Sequence, residues 1–167
     1  VPAQYQPAVF TKTKDTEQNH LCIGFEGIPM DSEKRYVNAL LGTILGGGMS
    51  SRLFQTIREQ NGFCYSVYSF HTSHQDVGLF NVYMALGQET ETQAIQLAMQ
   101  ECRHLAEYGP DDAELERCKE QAKTSVLLGL ESTSARMNQI ARAEMFFGEN
   151  PEVETVLSLY DHVTKED

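Results

Sequence analysis

The amino-acid sequence predicts an α+β fold in which a mostly antiparallel sheet is packed on one face by helices. Three observations predict it. Segments rich in β-formers cluster in the first half and are joined by short polar breaks, as hairpins are. Stretches with helical spacing of apolar residues follow one another through the second half. The regular strand-helix alternation of a doubly wound parallel fold is missing.

Taken in order, residues 8–14 and 18–28 read as two strands around the polar break Asp15-Thr16-Glu17, and Pro29 ends the second. Asp31 and Glu33 suit a helix N-terminus, and Tyr36, Val37, Leu40, Leu41, Ile44 and Leu45 lay an apolar stripe along that helix. Gly46-Gly47-Gly48 is expected to stop it, because glycine reaches the left-handed C-cap conformation without steric cost. Ser50 or Ser51 caps the next helix, whose Leu53, Phe54 and Ile57 face inward before Gly62 ends it. Residues 63–70 and 77–86 then form an antiparallel hairpin, with the polar residues 71–76 as its loop.

The second half reads as consecutive helices. Thr90 starts one with Ala94, Ile95, Ala98, Cys102, Leu105 and Ala106 on a single face, and Gly109-Pro110 closes it. Asp111 or Asp112 caps the next, with Leu115, Cys118, Ala122 and Val126 inward. Residues 132–147 give a third, stopped by Gly148, and residues 151–161 a short last one. With 167 residues and no internal repeat or linker, residues 1–167 are read as a single domain.

The charge balance restricts the partners. With 13 Lys and Arg against 24 Asp and Glu, the net charge of -11 argues against nucleic acid, which is held largely by clustered cations. It mildly favours basic peptides. No apolar run approaches the ~18 to 20 residues that cross a bilayer, and VPAQYQ has no basic or apolar leader character, so no membrane partner is expected. Cys22, Cys64, Cys102 and Cys118 are irregularly spaced and read as reduced, mostly buried thiols. That points to a reducing compartment, bacterial cytoplasm first and the mitochondrial matrix as the alternative. Thr164, three before Asp167, resembles a helix-starting capping box, and with no initiator Met the chain is expected to be part of a longer polypeptide.

Little in the sequence is chemically self-sufficient. The glycine triplet lacks the Lys-Ser/Thr of a phosphate loop and follows a helix instead of a strand. His71-Thr-Ser-His74 has no carboxylate where a metallopeptidase motif needs one, and it reads as a polar loop. Glu101 and His104 would suit half of a di-iron site, but the second half has no counterpart, so surface placement is expected. Neither HExxH nor HxxEH occurs, and no nucleophile triad is recognisable. Arg58 and Tyr65 stand out: a guanidinium near a helix C-terminus and a phenol early in the next strand, seven residues on. They could together donate hydrogen bonds to a carbonyl oxygen becoming an oxyanion. The residues alone favour the plainer reading, in which Arg58 solvates the helix end and Tyr65 fills the core with its hydroxyl satisfied.

The stretches GGGMSSRLFQTIREQNGFCYSVYSF, DVGLFNVYMAL, DDAELERCKEQAKTSVLLGLESTSARM and VTKED resemble the second half of pitrilysin/insulinase-type zinc peptidases, in the processing-peptidase branch. The resemblance implies two related α+β halves enclosing a chamber. The first half carries the zinc through HxxEH, and the second, which this chain resembles, has lost the zinc ligands. It further implies that Arg58 and Tyr65 reach the scissile carbonyl of a peptide bound at the companion's zinc, and that Gly46, Gly47 and Gly48 let an extended peptide approach the chamber wall. The implied partners are an N-terminal zinc-binding domain on the same polypeptide or a partner subunit, a peptide substrate, and a second copy in a homodimer. This chain alone should be inactive. The alternative is a non-catalytic scaffold subunit sharing the fold. Asn61, Phe63 and Cys64 depart from the family pattern without altering the Arg-Tyr spacing.

Overall fold

The structure, a computed structural model, describes residues 3–13 and 17–167. Among these, three strands form one antiparallel sheet in the order β1-β3-β2: β1 Asn19–Gly27, β2 Cys64–Ser73 and β3 Gly78–Leu86. Six helices accompany it: α1 Arg35–Gly46, a π-helix Phe54–Gln60, α2 Glu91–Tyr108, α3 Asp112–Gly129, α4 Thr133–Phe147 and α5 Val153–Asp161. The α+β class and the one-sided helical layer are therefore as expected.

The period of two in the strands explains the layering. Phe80, Val82, Met84 and Leu86 of β3 alternate onto one face and are buried there with Val67 of β2 and Leu40, Ile44 and Leu45 of α1. Leu53 and Ile57, from the segment that leads into β2, are fully buried in the same cluster. Each such side chain contributes on the order of 1.5 to 3 kcal/mol by leaving water. The opposite face carries His20 and Cys22 of β1, Tyr83 of β3, and Tyr68 and Phe70 of β2, with Tyr68 stacked on Tyr83 at 4.8 Å between ring centres.

The glycine triplet acts differently from the expectation. None of Gly46, Gly47 and Gly48 adopts positive φ; the left-handed glycines are Gly62, Gly109 and Gly148. Gly46 is instead the last residue of α1, pressed against β2, where a Cβ would stand 2.8 Å from both Ser69 Oγ and the Tyr68 carbonyl carbon. The missing side chain lets the helix end lie directly on the strand, and Ser69 Oγ donates to Gly42 O at 2.8 Å to lock the contact. Close packing, and not cap geometry, requires glycine there.

Other expectations are corrected. Residues 8–13 are exposed and belong to no strand, while Lys14, Asp15 and Thr16 lie outside the described residues. β-propensity needs a neighbouring strand to accept its hydrogen bonds, and none pairs with 8–13 among the described residues. Helix α1 starts at Arg35, because Asp31 to Lys34 are consumed by turns in which Ser32 N donates to Pro29 O and Arg35 N to Ser32 O. Asp31 and Glu33 therefore lie outside its first turn. His71 lies within β2 instead of the loop, which shortens to residues 74–77. Of the cysteines only Cys118 is buried; Cys64 and Cys102 are half-buried and Cys22 is exposed, all four as free thiols. Burial pushes the Cys64, Cys102 and Cys118 thiols up from their ordinary range.

The helix ends follow the expected chemistry more closely. Asp111 accepts from Glu114 N at 2.7 Å and Ser132 from Ala135 N at 3.2 Å, each side chain capping its own helix. Gly109 and Gly148, both at φ 69°, close α2 and α4. Lys119 donates to Asp161 O at 3.1 Å and Lys123 pairs with Asp161 at 2.7 Å, which ties α3 to the end of α5. Hydrogen bonds to Asp161 and Glu120 raise the Lys123 ammonium above its ordinary value, and Lys123 holds the Asp161 carboxyl below its own. Thr164 N and Oγ1 both donate to Asp167 Oδ2, at 2.9 and 3.0 Å, which forms half of the capping box read from the sequence.

Candidate functional site

The chain from Phe54 to Tyr65 builds a pair, a half-buried guanidinium and an exposed phenol, at one end of the edge strand β2. The segment begins at Ser51, whose hydroxyl donates to Gly48 O at 2.6 Å instead of capping a helix. After one turn it widens to the i→i+5 pattern over Phe54–Gln60, with Ile57 buried and Phe54 half-buried. Gly62, at φ 63°, reverses the chain; a Cβ there would meet nothing within 4 Å, so the demand for glycine is conformational. Thr90 Oγ1 donates to Phe63 O at 3.1 Å and pins the start of the strand.

Tyr65 is the extra residue of a β-bulge. Cys64 pairs with Leu86 and Ser66 with Ala85, so Tyr65 has no partner on β3. A bulge turns a side chain out of the regular alternation, and Tyr65 is 77% exposed. The reading in which Tyr65 fills the core is therefore wrong. Arg58 is fixed against it by three contacts: Nη1 donates to Tyr65 O at 2.9 Å, and the guanidinium carbon lies 4.6 Å from the Tyr65 ring centre and 4.7 Å from that of Phe54. The hydrogen bond gives a donor to the carbonyl of this residue, which has no partner in the register with β3. The nearest carboxylate, Glu59, is exposed and 3.8 Å away, which does little to neutralise the guanidinium. The arrangement sets a phenol O–H and further guanidinium N–H groups at one surface, a donor set suited to an oxygen that gains negative charge.

The sequence reading missed Arg52. Its guanidinium is bidentate to Glu114, Nε to Oε1 at 2.9 Å and Nη2 to Oε2 at 2.6 Å, with side chains only 15% and 9% exposed. Nη2 also donates to Gly109 O at 3.2 Å, and Nη1 stands 3.1 Å from His104 Nδ1, which must accept because a guanidinium can only donate. The Glu114 hydrogen bonds raise the Arg52 guanidinium above its ordinary value against the opposing effect of burial. Glu101 accepts from Thr56 Oγ1 at 3.0 Å. Glu101 and His104 thus hold the π-helix segment to α2, a structural use of two residues with metal-ligand spacing. Arg52 and Glu114 are 62 positions apart, and no local periodicity links them.

Among the described residues no group of three or more His, Cys, Asp and Glu is placed to hold a metal ion, so the described side chains do not fit a zinc site. No helix of the described residues is long and apolar enough to cross a membrane.

The sequence profile of the peptidase M16 inactive domain matches residues 1–122. The chain is 40% identical to an uncharacterized zinc protease of Streptomyces coelicolor over 92% of this chain and 34% of that protein. It is 36% identical to an uncharacterized zinc protease of Bacillus subtilis, over 98% of this chain and 40% of that one. The chain therefore spans well under half the length of these relatives. Its fold matches the crystal structure of a peptidase M16 inactive domain from Pseudomonas fluorescens with a TM-score of 0.81, at 25% identity over 90% of this chain and 36% of the other. A chain of complex III2 from Candida albicans has a similar fold, TM-score 0.80 at 20% identity over 91% of this chain and 38% of that one.

Proposed function

The chain belongs to the peptidase M16 inactive-domain family, and from that premise we propose that it is the substrate-binding half of a zinc endopeptidase cleaving peptides or protein presequences. The zinc belongs to a companion half, on the same polypeptide or on a partner subunit, and no step at the metal is assigned to residues of this chain. Arg58 and Tyr65 bind the scissile carbonyl and help to hold its oxygen as charge develops there. Gly46, Gly47 and Gly48 form a side-chain-free wall beside which an extended peptide lies; Gly47 and Gly48 are exposed, while the buried Gly46 backs them against β2.

The observation that carries this reading is the bulge. It leaves the Tyr65 phenol exposed while Arg58 is stacked and hydrogen-bonded in place, so the donors are ordered before a substrate arrives. Fixed donors of this kind need not reorganise during the reaction. Four free thiols fit a reducing cytoplasm, where we place the protein.

The test is a fluorogenic-peptide cleavage assay on this chain alone, on this chain joined to a zinc-bearing half, and on that assembly after chelation and zinc refilling. Cleavage is expected only in the zinc-loaded assembly. An assembly that binds zinc and forms stably but never cleaves would favour the scaffold alternative.

A further inference from the structure

A cleft of about 470 Å³ opens between α1, the distal end of β2 and the last turn of α4, away from the bulge at Tyr65. Its lining departs from the character of the chain. The chain carries a net charge of -11, yet no acidic residue lines this cleft, while Arg35, Arg142 and His71 do.

The two arginines have donors to spare. The Arg35 guanidinium carbon lies 4.8 Å from the centre of the Tyr36 ring and 5.1 Å from that of Phe147, so two cation–π contacts hold the group at the cleft. Its hydrogen bonds to Ser32 O and Tyr36 Oη are both long, at 3.5 Å. Among the described residues neither Arg35 nor Arg142 forms an ion pair. Asn38 also lines the cleft. It is only 8% exposed, and its side-chain amide makes no hydrogen bond among the described residues. No side-chain nitrogen or oxygen among the described residues is both fully buried and unpaired, so the Asn38 amide reaches the solvent of the cleft and is free to donate there. Phe146 and Phe147 complete the lining with apolar surface.

We propose that this cleft is a carboxylate-binding site, taking a carboxylate joined to an apolar body such as a hydrophobic residue at or beside the acidic group of a peptide. A guanidinium without an ion pair keeps N–H donors free, and their planar fork matches a carboxylate in bidentate fashion. The Asn38 amide donates to the same group or to the neighbouring peptide carbonyl, and the phenylalanines cover the apolar body. The carboxylate comes from a peptide C-terminus or from an acidic side chain. Binding needs neither zinc nor a companion half, so it stands apart from the role given to Arg58 and Tyr65.

The test is calorimetric titration of the full 167-residue chain with three probes: acetyl-Ala-Phe, acetyl-Ala-Phe-amide and acetyl-Glu-Phe-amide. At least one carboxylate peptide is expected to bind about tenfold or more tightly than acetyl-Ala-Phe-amide, as charge-assisted hydrogen bonds imply. Preference for the free acid assigns the site to C-termini, and preference for the glutamyl amide assigns it to acidic side chains. Arg142→Gln, at an exposed position without an ion pair, should weaken that binding about tenfold and leave the fold intact. Arg103→Gln on α2, outside this cleft, should leave binding unchanged. Equal binding of the uncharged amide, no binding at millimolar peptide, or an unaffected Arg142→Gln would each overturn the proposal.

Discussion

Replacing Tyr65 by Phe in the zinc-loaded assembly is expected to lower kcat by ~10 to 10³-fold, the usual cost of removing one oxyanion-type donor. The ring that stacks on Arg58 is kept and only the hydroxyl is lost, so Arg58 stays anchored to the Tyr65 carbonyl. Because Tyr65 is 77% exposed, the loss should move stability by no more than about 0.5 kcal/mol. KM should change little, since an interaction made mainly in the transition state is read in kcat and kcat/KM together. Zinc content should be unaffected. Turnover equal to that of the parent would remove Tyr65 from the chemistry; a fall in both zinc content and thermal midpoint would make its part structural.

Arg52→Ala carries the largest expected loss of stability. Removing the guanidinium leaves the Glu114 carboxylate, 9% exposed, without its bidentate partner, and takes a donor from Gly109 O and from His104 Nδ1. Breaking a buried ion pair from one side costs roughly 3 to 5 kcal/mol, or about 6 to 20 °C in Tm for a chain of this size. That is a large share of the ~5 to 15 kcal/mol by which domains are stable. Arg52→Met combined with Glu114→Leu should recover much of the loss, because an apolar pair needs no compensation for buried charge. Urea unfolding of the three proteins decides it. A single-variant loss below about 1 kcal/mol would mean that water, and not Arg52, satisfies Glu114.

The legible parts of this fold are those set by neighbours in sequence. Alternation in residues 78–86, helical spacing from Ala94 to Leu105, and the terminating glycines Gly109 and Gly148 all place their elements to within a residue or two. Where the deciding partner is distant, the sequence says less. Residues 8–13 have strand composition and no strand to pair with, and the π-form of Phe54–Gln60 differs from an α-helix by a hydrogen-bond shift that residue spacing does not encode. At Gly46 the spacing suggests a helix cap, but what requires glycine there is the backbone of β2, more than twenty residues away in sequence.

The candidate site was legible in its residues and not in its construction. Arg58 and Tyr65 are identified by spacing and by family resemblance, but the bulge that turns the phenol outward depends on the register of β2 against β3. Sequence alternation through Tyr65 gives no sign of the extra residue. The pair Arg52–Glu114, which holds the preceding segment against α2 and α3, is likewise visible only once the chain is folded.

The central claim is that the Arg58–Tyr65 surface meets the bond that is cut. It is tested most directly by placing p-benzoylphenylalanine at the position of Tyr65, assembling the protein with its zinc-bearing half, and removing the metal so that bound peptide stays whole. Irradiation should cross-link the peptide at the residues flanking the cleavage position, as mapped by mass spectrometry. Cross-links confined to distant peptide residues, or to no peptide at all while the peptide remains bound, would contradict it.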